Sequence, residues 1–360
     1  MYSEKARKHA DACRFCWMCR HLCPVELATG KETGTPRAKG LMVSMFERGY
    51  PMDADAAAMM YECMMCYACV NDCATGFEPP IYIREARTQA VLNGLVPSYV
   101  QRVLDNVNET GNIYGAKECS VDLTGILETG DTLVWLGETA RYAVPETANA
   151  LLSLLQKAGL AFAVLKNEPA SGVMLGDLTG FIEDVRTQAK RAAEAIHASG
   201  AKRVVVLDSY DAALFLHEYK DWGVALPEIV TATSFVDGLV KAGKLSPRKS
   251  SLAVSYHDGS RLARDLNEHQ PARDLLAAMG CELNEMFLNR RLSKCCGSAV
   301  AGQYMPRVRQ GAAENRWKDM MRTSATTLVA ACPQSTEALA QTVPEGYTYK
   351  DLFVLLNERT

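Results

Sequence analysis

The stretch CRFCWMCRHLCP (residues 13–24) decides how the first third of the chain folds, and CMMCYACVNDC (residues 63–73) repeats its cysteine pattern. In both stretches the four cysteines are separated by two, two and three residues. Gaps of two residues keep three thiols on one tight loop, where they can surround a common centre. The fourth cysteine leaves that loop at the start of the next segment. Each stretch therefore predicts a site that a cysteine from elsewhere completes.

Cysteine runs with this spacing are typical of ferredoxins that hold two [4Fe-4S] clusters, in which the fourth cysteine of a run ligates the other cluster. We therefore predict two [4Fe-4S] clusters as the cofactors. The ligands of cluster I are predicted to be Cys13, Cys16, Cys19 and Cys73. The ligands of cluster II are predicted to be Cys63, Cys66, Cys69 and Cys23. Each run then needs the other to close its site.

Zinc and disulfides are the two competing uses of these cysteines. A structural zinc site needs four ligands in two separated pairs, and a run of four closely spaced cysteines overfills it. Disulfides need an oxidising compartment, but the N-terminus MYSEKARKHADAC lacks the apolar segment of a signal peptide. The cysteine total, thirteen, is odd. We therefore expect a cytoplasmic protein whose thiolates bind metal.

Length, charge and hydropathy narrow the class of protein further. The chain of 360 residues is long enough for two or three domains. Its formal net charge of -3 provides no basic field for nucleic acid. No apolar run approaches the roughly 18 residues that span a bilayer. We expect no nucleic-acid partner and no direct membrane span, so that any membrane association goes through another subunit.

Apolar residues recur at helical intervals between and after the cysteine runs. Residues 36–49 and 52–61 predict two short helices between the runs. Residues 81–94 and 98–109 predict two more helices after the second run. Residues 1–115 are therefore predicted to form a small helical domain around the two clusters.

Beyond residue 130, short apolar runs alternate with helical segments. Strands are predicted at residues 131–137, 161–165, 203–208, 251–258 and 326–332. A helix is predicted from Arg261 to Met279. This alternation indicates α/β layers, and its restart at residue 251 indicates an internal duplication. The predicted fold class is α+β and multidomain, with the helical ferredoxin domain followed by two tandem α/β repeats at residues 120–245 and 246–360.

Aligning the two halves pairs short segments at similar separations. The paired segments are Leu136-Gly137-Glu138 with Asp258-Gly259-Ser260, Ala170-Ser171-Gly172 with Cys295-Cys296-Gly297, and Asp208-Ser209-Tyr210-Asp211 with Cys332-Pro333-Gln334-Ser335. This arrangement resembles the cysteine-rich family whose repeat reads Cys, then Cys-Cys-Gly, then Cys-Pro-x-Cys. The second half of the chain is thus similar to two such repeats, in which many cysteines have been replaced.

The whole chain resembles the members of this family that join a ferredoxin domain to two repeats. These members are the D-subunit type of heterodisulfide reductase, the iron-sulfur subunit of glycolate oxidase and that of anaerobic glycerol-3-phosphate dehydrogenase. Thr35-Pro36-Arg37 after the first cysteine run and Arg84-Glu85-Ala86-Arg87 after the second support the resemblance. It implies a partner flavoprotein and a place in a redox complex.

In family members with a complete repeat, five cysteines can hold a further iron-sulfur centre, which in heterodisulfide reductase cleaves the disulfide. The ten corresponding positions here hold Glu138, Ala170, Ser171, Asp208, Asp211, Ser260, Cys295, Cys296, Cys332 and Ser335. The first repeat has no thiol, and hard carboxylates replace soft sulfur poorly, so we expect no cluster there. For Cys295, Cys296 and Cys332 we favour inherited packing or partner contact, and a weak third metal site is the alternative.

No motif for a flavin, a nicotinamide or a phosphate is recognisable in the sequence, and we identify no catalytic residue. The main hypothesis is therefore an electron-transfer subunit of an oxidoreductase complex that is not catalytic alone. It would carry single electrons between a partner flavoprotein dehydrogenase or reductase and another redox carrier or quinone-linked protein. The alternatives are a heterodisulfide-reductase-like catalytic subunit, with a modified centre at the three C-terminal cysteines, and a docking scaffold of a larger complex.

Overall fold

The computed structural model describes residues 2–13 and 16–360. Helices dominate the N-terminal region as far as Thr110. Its α-helices are Glu4–Asp11 (α1), Pro24–Thr29 (α2), Pro36–Glu47 (α3), Ala54–Tyr61 (α4), Ala68–Asp72 (α5), Pro79–Leu92 (α6) and Ser98–Thr110 (α7). Short 3-10 helices form at Met18–Leu22 and Glu32–Gly34. The first of these packs against α5, so the two cysteine runs lie side by side.

Side-chain caps fix the starts of the two helices between the cysteine runs. The Thr35 hydroxyl accepts a hydrogen bond from the Ala38 N–H at 3.2 Å before α3. Pro36 occupies the first position of α3, where a missing N–H costs nothing. The Asp53 carboxylate accepts from the Ala56 N–H at 2.8 Å before α4. Both starts follow from short-range sequence signals.

A three-stranded parallel sheet follows, with strand order β1-β2-β3. Its strands are Thr132–Trp135 (β1), Arg203–Val206 (β2) and Glu228–Thr231 (β3). Its helices are Glu138–Tyr142 (α8), Pro145–Lys157 (α9), Val173–Thr179 (α10), Glu183–Ala198 (α11), Ser209–Leu216 (α12), Glu218–Asp221 (α13) and Ala232–Lys241 (α14). Thr132 pairs with Arg203, and Arg203 pairs with Glu228. The carboxyl ends of all three strands therefore point to one edge of the sheet.

The second sheet has four parallel strands in the order β5-β4-β6-β7. Its strands are Ala253–Tyr256 (β4), Glu282–Leu283 (β5), Thr327–Ala330 (β6) and Thr348–Asp351 (β7). Its helices are Gln270–Ala278 (α15), Ala299–Tyr304 (α16), Pro306–Met320 (α17), Pro333–Ala340 (α18) and Leu352–Asn357 (α19). A π-helix forms at Arg261–Asp265, and a 3-10 helix forms at Arg290–Leu292. The fold as a whole mixes helices with parallel sheets, as the predicted α+β class requires.

Two sequence predictions of secondary structure are wrong in detail. Residues 161–165 form no strand, since Ala163 makes only isolated bridges to Leu127 and Leu133. The predicted helix from Arg261 to Met279 is interrupted between Asp265 and Gln270, where Asn267 has a left-handed φ of 51°. Pro271, which lacks an N–H, then sits in the first turn of the new helix. The edge strands β3, β5 and β7 were not predicted: β5 has two residues, β7 is mostly polar, and the apolar run of β3 is limited to two residues.

One hydrophobic core joins the N-terminal region to the first sheet and to helices that accompany the second sheet. It includes Leu104 of α7, Trp135 of β1 and Val300 of α16. Helix α2 packs against α17 so closely that a Cβ added at Gly311 would lie 2.9 Å from the Ala28 Cβ. The domain boundaries near residues 115–120 and 245–246 stay a prediction. Among the described residues, no helix combines the length and hydrophobicity that crossing a bilayer requires.

Candidate functional site

Two cavities of the N-terminal region are each lined by four cysteines. The first is lined by Cys13, Cys16, Cys19 and Cys73. The second is lined by Cys63, Cys66, Cys69 and Cys23. Each cavity thus brings together three cysteines of one run and the last cysteine of the other run. We name them cavity I and cavity II.

The backbone makes the same turn in both cysteine runs. Trp17 and Tyr67 follow the second cysteine of their run, and both have left-handed φ angles of 67° and 60°. Such a conformation costs a residue other than glycine about 1–3 kcal/mol, and it tends to occur at functional sites. The last cysteines of the runs, Cys23 and Cys73, are both extended. The two runs therefore fold into similar loops. In each run the fourth cysteine lies on an extended segment that follows the loop with the other three cysteines.

The two cavities differ in their exposure to solvent. At cavity I, Cys16 is exposed, and Trp17 and Met18 keep 43% and 50% of their surface accessible. The guanidinium of Arg37 stacks over the Trp17 ring at 3.9 Å from its centroid. At cavity II, by contrast, Cys23, Cys66 and Cys69 are all buried. Cavity I therefore lies near the surface, and cavity II lies inside the protein.

Two fully buried cations flank cavity II. The Lys39 ammonium donates to the Gly34 carbonyl at 2.8 Å. The Arg87 guanidinium donates to the Met60 and Cys63 carbonyls at 3.0 and 2.8 Å. Within residues 2–13 and 16–360, neither cation forms an ion pair with a carboxylate, so each leaves a buried positive charge beside the thiols. An anionic iron-sulfur cluster bound by the four cysteines would balance these charges.

The spacing and protonation of the thiols also suit a cluster. In the part of the chain that the structure describes, no three His, Cys, Asp or Glu side chains converge as closely as one metal ion requires. A cluster of several irons accepts thiolates that lie farther apart than the ligands of a single zinc ion. Burial raises the pKa of Cys23 to about 12 and also raises the pKa of Cys69. These thiols are therefore protonated unless a metal centre takes the place of the protons.

The three C-terminal cysteines lie together with two serines. Cys295, Cys296 and Cys332 are each only 2% exposed. The Ser335 side chain lies beside the Cys296 thiol, and the Ser260 side chain lies beside the Cys295 thiol. All five side chains occupy the positions that hold cysteine in complete repeats. They converge because Ser260 and Cys332 follow the adjacent parallel strands β4 and β6, whose carboxyl ends meet at one edge.

The corresponding positions of the first repeat also converge, but they carry carboxylates. The Ser171 hydroxyl donates to Asp211 at 2.5 Å, and the Trp135 indole N–H donates to the same carboxylate at 3.0 Å. Burial raises the pKa of Asp208, which the neighbouring Asp211 raises further, and burial raises the pKa of Glu138 to about 8. No thiol is present here. Gly172 and Gly297, which the predicted duplication pairs, have φ angles of 98° and 109°, and the duplication itself stays a prediction.

Arg87 and Arg264 lie beside the sites, and no role was predicted for either residue from the sequence. Arg87 lies on the buried face of α6 together with Ile83, Ala86 and Ala90. The spacing of these apolar residues could have indicated that Arg87 points inward. Arg264 donates from Nε to the Cys66 carbonyl at 2.7 Å. No short-range signal predicts that contact, because it joins distant parts of the chain.

Two parts of the chain match models of known protein families. Residues 9–77 match the model of the 4Fe-4S dicluster domain, and residues 254–336 match the model of the cysteine-rich domain. The matches support an iron-sulfur protein with an electron-transfer role. All eight cysteines of the two predicted clusters lie inside the first match. Cys295, Cys296 and Cys332 lie inside the second.

Three curated relatives illustrate the range of similar proteins. A probable membrane-anchored ferredoxin of Chromohalobacter salexigens is 28% identical over 328 residues, which cover 82% of this chain and 47% of that protein. The D-subunit of the dihydromethanophenazine:CoB--CoM heterodisulfide reductase of Methanosarcina acetivorans is 27% identical over 372 residues, covering 90% and 86%. An EtfAB:quinone oxidoreductase of Syntrophomonas wolfei is 24% identical over 285 residues, covering 73% and 39%. The chain spans less than half the length of the first and third of these relatives.

The second relative is similar along most of its length, since the match covers 86% of that protein and 90% of this chain. The chain therefore combines a 4Fe-4S dicluster domain with a cysteine-rich domain, and its homologues include the D-subunit of heterodisulfide reductase and a membrane-anchored ferredoxin.

Proposed function

We propose that this chain is an electron-transfer subunit that carries single electrons through two [4Fe-4S] clusters. The observation that carries the proposal is the lining of cavities I and II, in which three cysteines of one run meet the last cysteine of the other. When bound, the clusters would supply reversible one-electron transfer. The protein supplies their positions, their exposure to solvent and the charges around them.

The two cavities suggest a division of roles along the electron path. Cavity I opens near the exposed side chains of Trp17 and Met18, where a redox partner can approach. Cavity II is enclosed by buried residues, and the buried charges of Lys39 and Arg87 favour the more negative, reduced state of a cluster there. Electrons exchanged with a partner would therefore pass through cluster I first.

A flavoprotein dehydrogenase or reductase is the partner that we propose at one end of the path. The other end would be a further electron carrier or a quinone-linked protein. The names of two relatives support redox partners of this kind, since one is an EtfAB:quinone oxidoreductase and the other belongs to a dihydromethanophenazine-linked reductase. The substrate of the complex would then be bound by another subunit.

Iron and acid-labile sulfide measured in anaerobically reconstituted protein test this proposal. About eight irons per chain and a cubane spectrum are expected. Fewer than about seven irons, or zinc in their place, would contradict it. Cys119→Ala is the matched control, because Cys119 lines neither cavity and its loss should leave the iron content unchanged.

A second candidate function is a catalytic subunit similar to heterodisulfide reductase. The convergence of Cys295, Cys296 and Cys332 and the similarity to the D-subunit of that reductase along 90% of this chain favour it. This function needs a third centre at these thiols. It predicts appreciably more than eight irons and a third paramagnetic species that Cys296→Ala abolishes. An unchanged spectrum in that variant would leave electron transfer as the function.

A further inference from the structure

A surface cleft of about 750 Å³ lies next to cavity II, between the start of α1, helix α6 and helix α13. Tyr67, the residue after Cys66, lines both this cleft and cavity II. The cleft also reaches exposed residues, among them His217 and Asp221. The buried cavity therefore has a neighbour that is open to solvent, and the Tyr67 side chain belongs to the lining of both.

Arg84 holds Tyr67 in this position. Its Nη1 donates to the Tyr67 hydroxyl at 2.7 Å, and its guanidinium stacks over the Phe181 ring at 4.3 Å from the centroid. A Cβ added at Gly180 would lie 2.5 Å from the Arg84 carbonyl oxygen, so the segment that carries Phe181 packs tightly against α6. The Phe181 and Trp222 rings meet edge to face with their centroids 5.1 Å apart. The walls of the cleft are therefore packed in place before any partner binds.

The lining of the cleft is acidic and partly aromatic. It contains four carboxylates and two cations, which belong to Glu78, Glu85, Glu218, Asp221, Lys5 and Arg84. Arg84 is buried and lies 3.8 Å from Glu218, which offsets its charge. Phe181 and Trp222 are half-buried and present ring surface beside the carboxylates. Lysine and arginine side chains suit such a lining, because their stems pack on aromatic rings and their charged ends pair with carboxylates.

The surface near cavity I has a different chemical character. There the guanidinium groups of Arg37 and Arg20 lie 3.9 and 5.5 Å from the centroid of the exposed Trp17 ring. Charge complementarity determines which proteins dock on a surface and how fast they do so. Two surfaces of different charge therefore suit two different partners, one at each end of an electron path.

We propose that the cleft is the docking surface at which cluster II exchanges electrons with a basic redox protein, and that Tyr67 is the side chain between the two. The proposal rests on the proposed function, in which Cys66 ligates cluster II. Each transfer moves one electron, so that the cluster and the partner's redox centre change oxidation state by one and no bond forms or breaks. Electrons would thus pass between this surface and the one near cavity I.

Stopped-flow oxidation of the reduced, full-length, cluster-loaded protein by cytochrome c, a basic one-electron acceptor, tests the proposal. At low ionic strength the second-order rate constant should fall about tenfold in Asp221→Lys and in Glu78→Lys, and added salt should lower it in the wild type. Succinylated cytochrome c, whose surface is acidic, should react slowly with the wild type and faster with both variants. Glu345→Lys is the matched control, because it makes the same charge change at an exposed residue outside the cleft.

A second readout locates the docked protein without measuring electron transfer. A carbodiimide joins carboxylates directly to lysine amines, and mass spectrometry should find cytochrome c peptides joined to Glu78, Glu218 or Asp221. Unchanged rates in both cleft variants at full iron content, or an equal decrease in Glu345→Lys, would overturn the proposal. Cross-links confined to other carboxylates, or formed between two copies of this chain, would also overturn it. Iron below about seven per wild-type chain would instead refute the proposed function itself.

Discussion

The hydroxyl of Ser209 lies 3.0 Å from the Sγ of Cys332, and this contact joins the two sheet-bearing regions within the two segments that the sequence alignment pairs. Ser209 follows β2, and Cys332 follows β6. Beside them, Gln334 donates to both carboxylate oxygens of Asp208 at 3.3 Å. The edges at which complete repeats hold cysteines therefore face each other in the interior. Changes at one edge are expected to affect the other.

Exchange of the last cysteine between the runs predicts an unusual pattern of cluster loss. Cys73→Ala should abolish cluster I although Cys73 lies in the second run, and Cys23→Ala should abolish cluster II. Iron should fall from about eight to about four per chain in each variant. Electron paramagnetic resonance of the reduced proteins identifies the remaining cluster. Loss of cluster II in Cys73→Ala would mean that each run closes its own site.

The buried cation Lys39 is expected to raise the potential of cluster II. A positive charge near a cluster stabilises its more negative, reduced state, and within the described part of the chain Lys39 forms no salt bridge, although the Glu62 carboxylate is near enough to favour its charge. Lys39→Met keeps the aliphatic stem and removes the charge. The midpoint potential of cluster II should become more negative in a redox titration. Exposed Lys31→Met is the control, and an equal shift in both variants would argue against a local effect.

Arg87 is expected to contribute strongly to stability. It is fully buried, and it donates to the carbonyls of Met60, Cys63 and Asp177. Arg87→Leu leaves those carbonyls without partners and should lower the free energy of unfolding by at least about 3 kcal/mol. Chemical denaturation of the cluster-loaded protein measures this loss. The substitution of exposed Arg102 by Leu should change stability little, and equal effects would contradict the assigned role.

Because the Asp208 carboxyl is buried, we predict that the free energy of unfolding decreases as pH rises. Burial and the Asp211 charge raise its pKa to about 8, whereas an unfolded aspartate ionises near about 4. Between these pH values the native state binds more protons than the unfolded state, so the free energy of unfolding decreases with increasing pH. Asp208→Asn should therefore be more stable than the wild type at pH 8, with a smaller difference at pH 4.

Thermal unfolding at several pH values measures this effect. Asn retains the oxygen that accepts from the Tyr210 N–H at 2.9 Å, so the cap of α12 should persist. The gain at pH 8 is expected to be on the order of 1–3 kcal/mol. Exposed Asp221→Asn should show no such pH dependence. A constant difference between Asp208→Asn and the wild type across this range would show that Asp208 does not titrate there.

Local sequence signals predicted the elements whose formation depends on neighbours in the chain. The gaps within residues 13–24 and 63–73 indicated two compact loops, and apolar residues at helical intervals indicated the helices between them, whose starts are capped by Thr35 and Asp53 in the structure. The buried central strands were recognisable from their apolar runs. The interruption at Asn267 was missed, because the apolar pattern continues across it and only the backbone conformation reveals the break.

The sequence by itself determined the types and spacing of the thiols, and hence the prediction of paired clusters beside parallel α/β layers. Only the tertiary structure decided that Lys39 and Arg87 are buried beside cavity II, since charged residues are ordinarily exposed and no local pattern sets their environment. It alone brought Arg264 to the Cys66 carbonyl, a contact between residues that are far apart in the chain. Such contacts depend on how separate regions pack, and packing follows from the summed burial of many side chains.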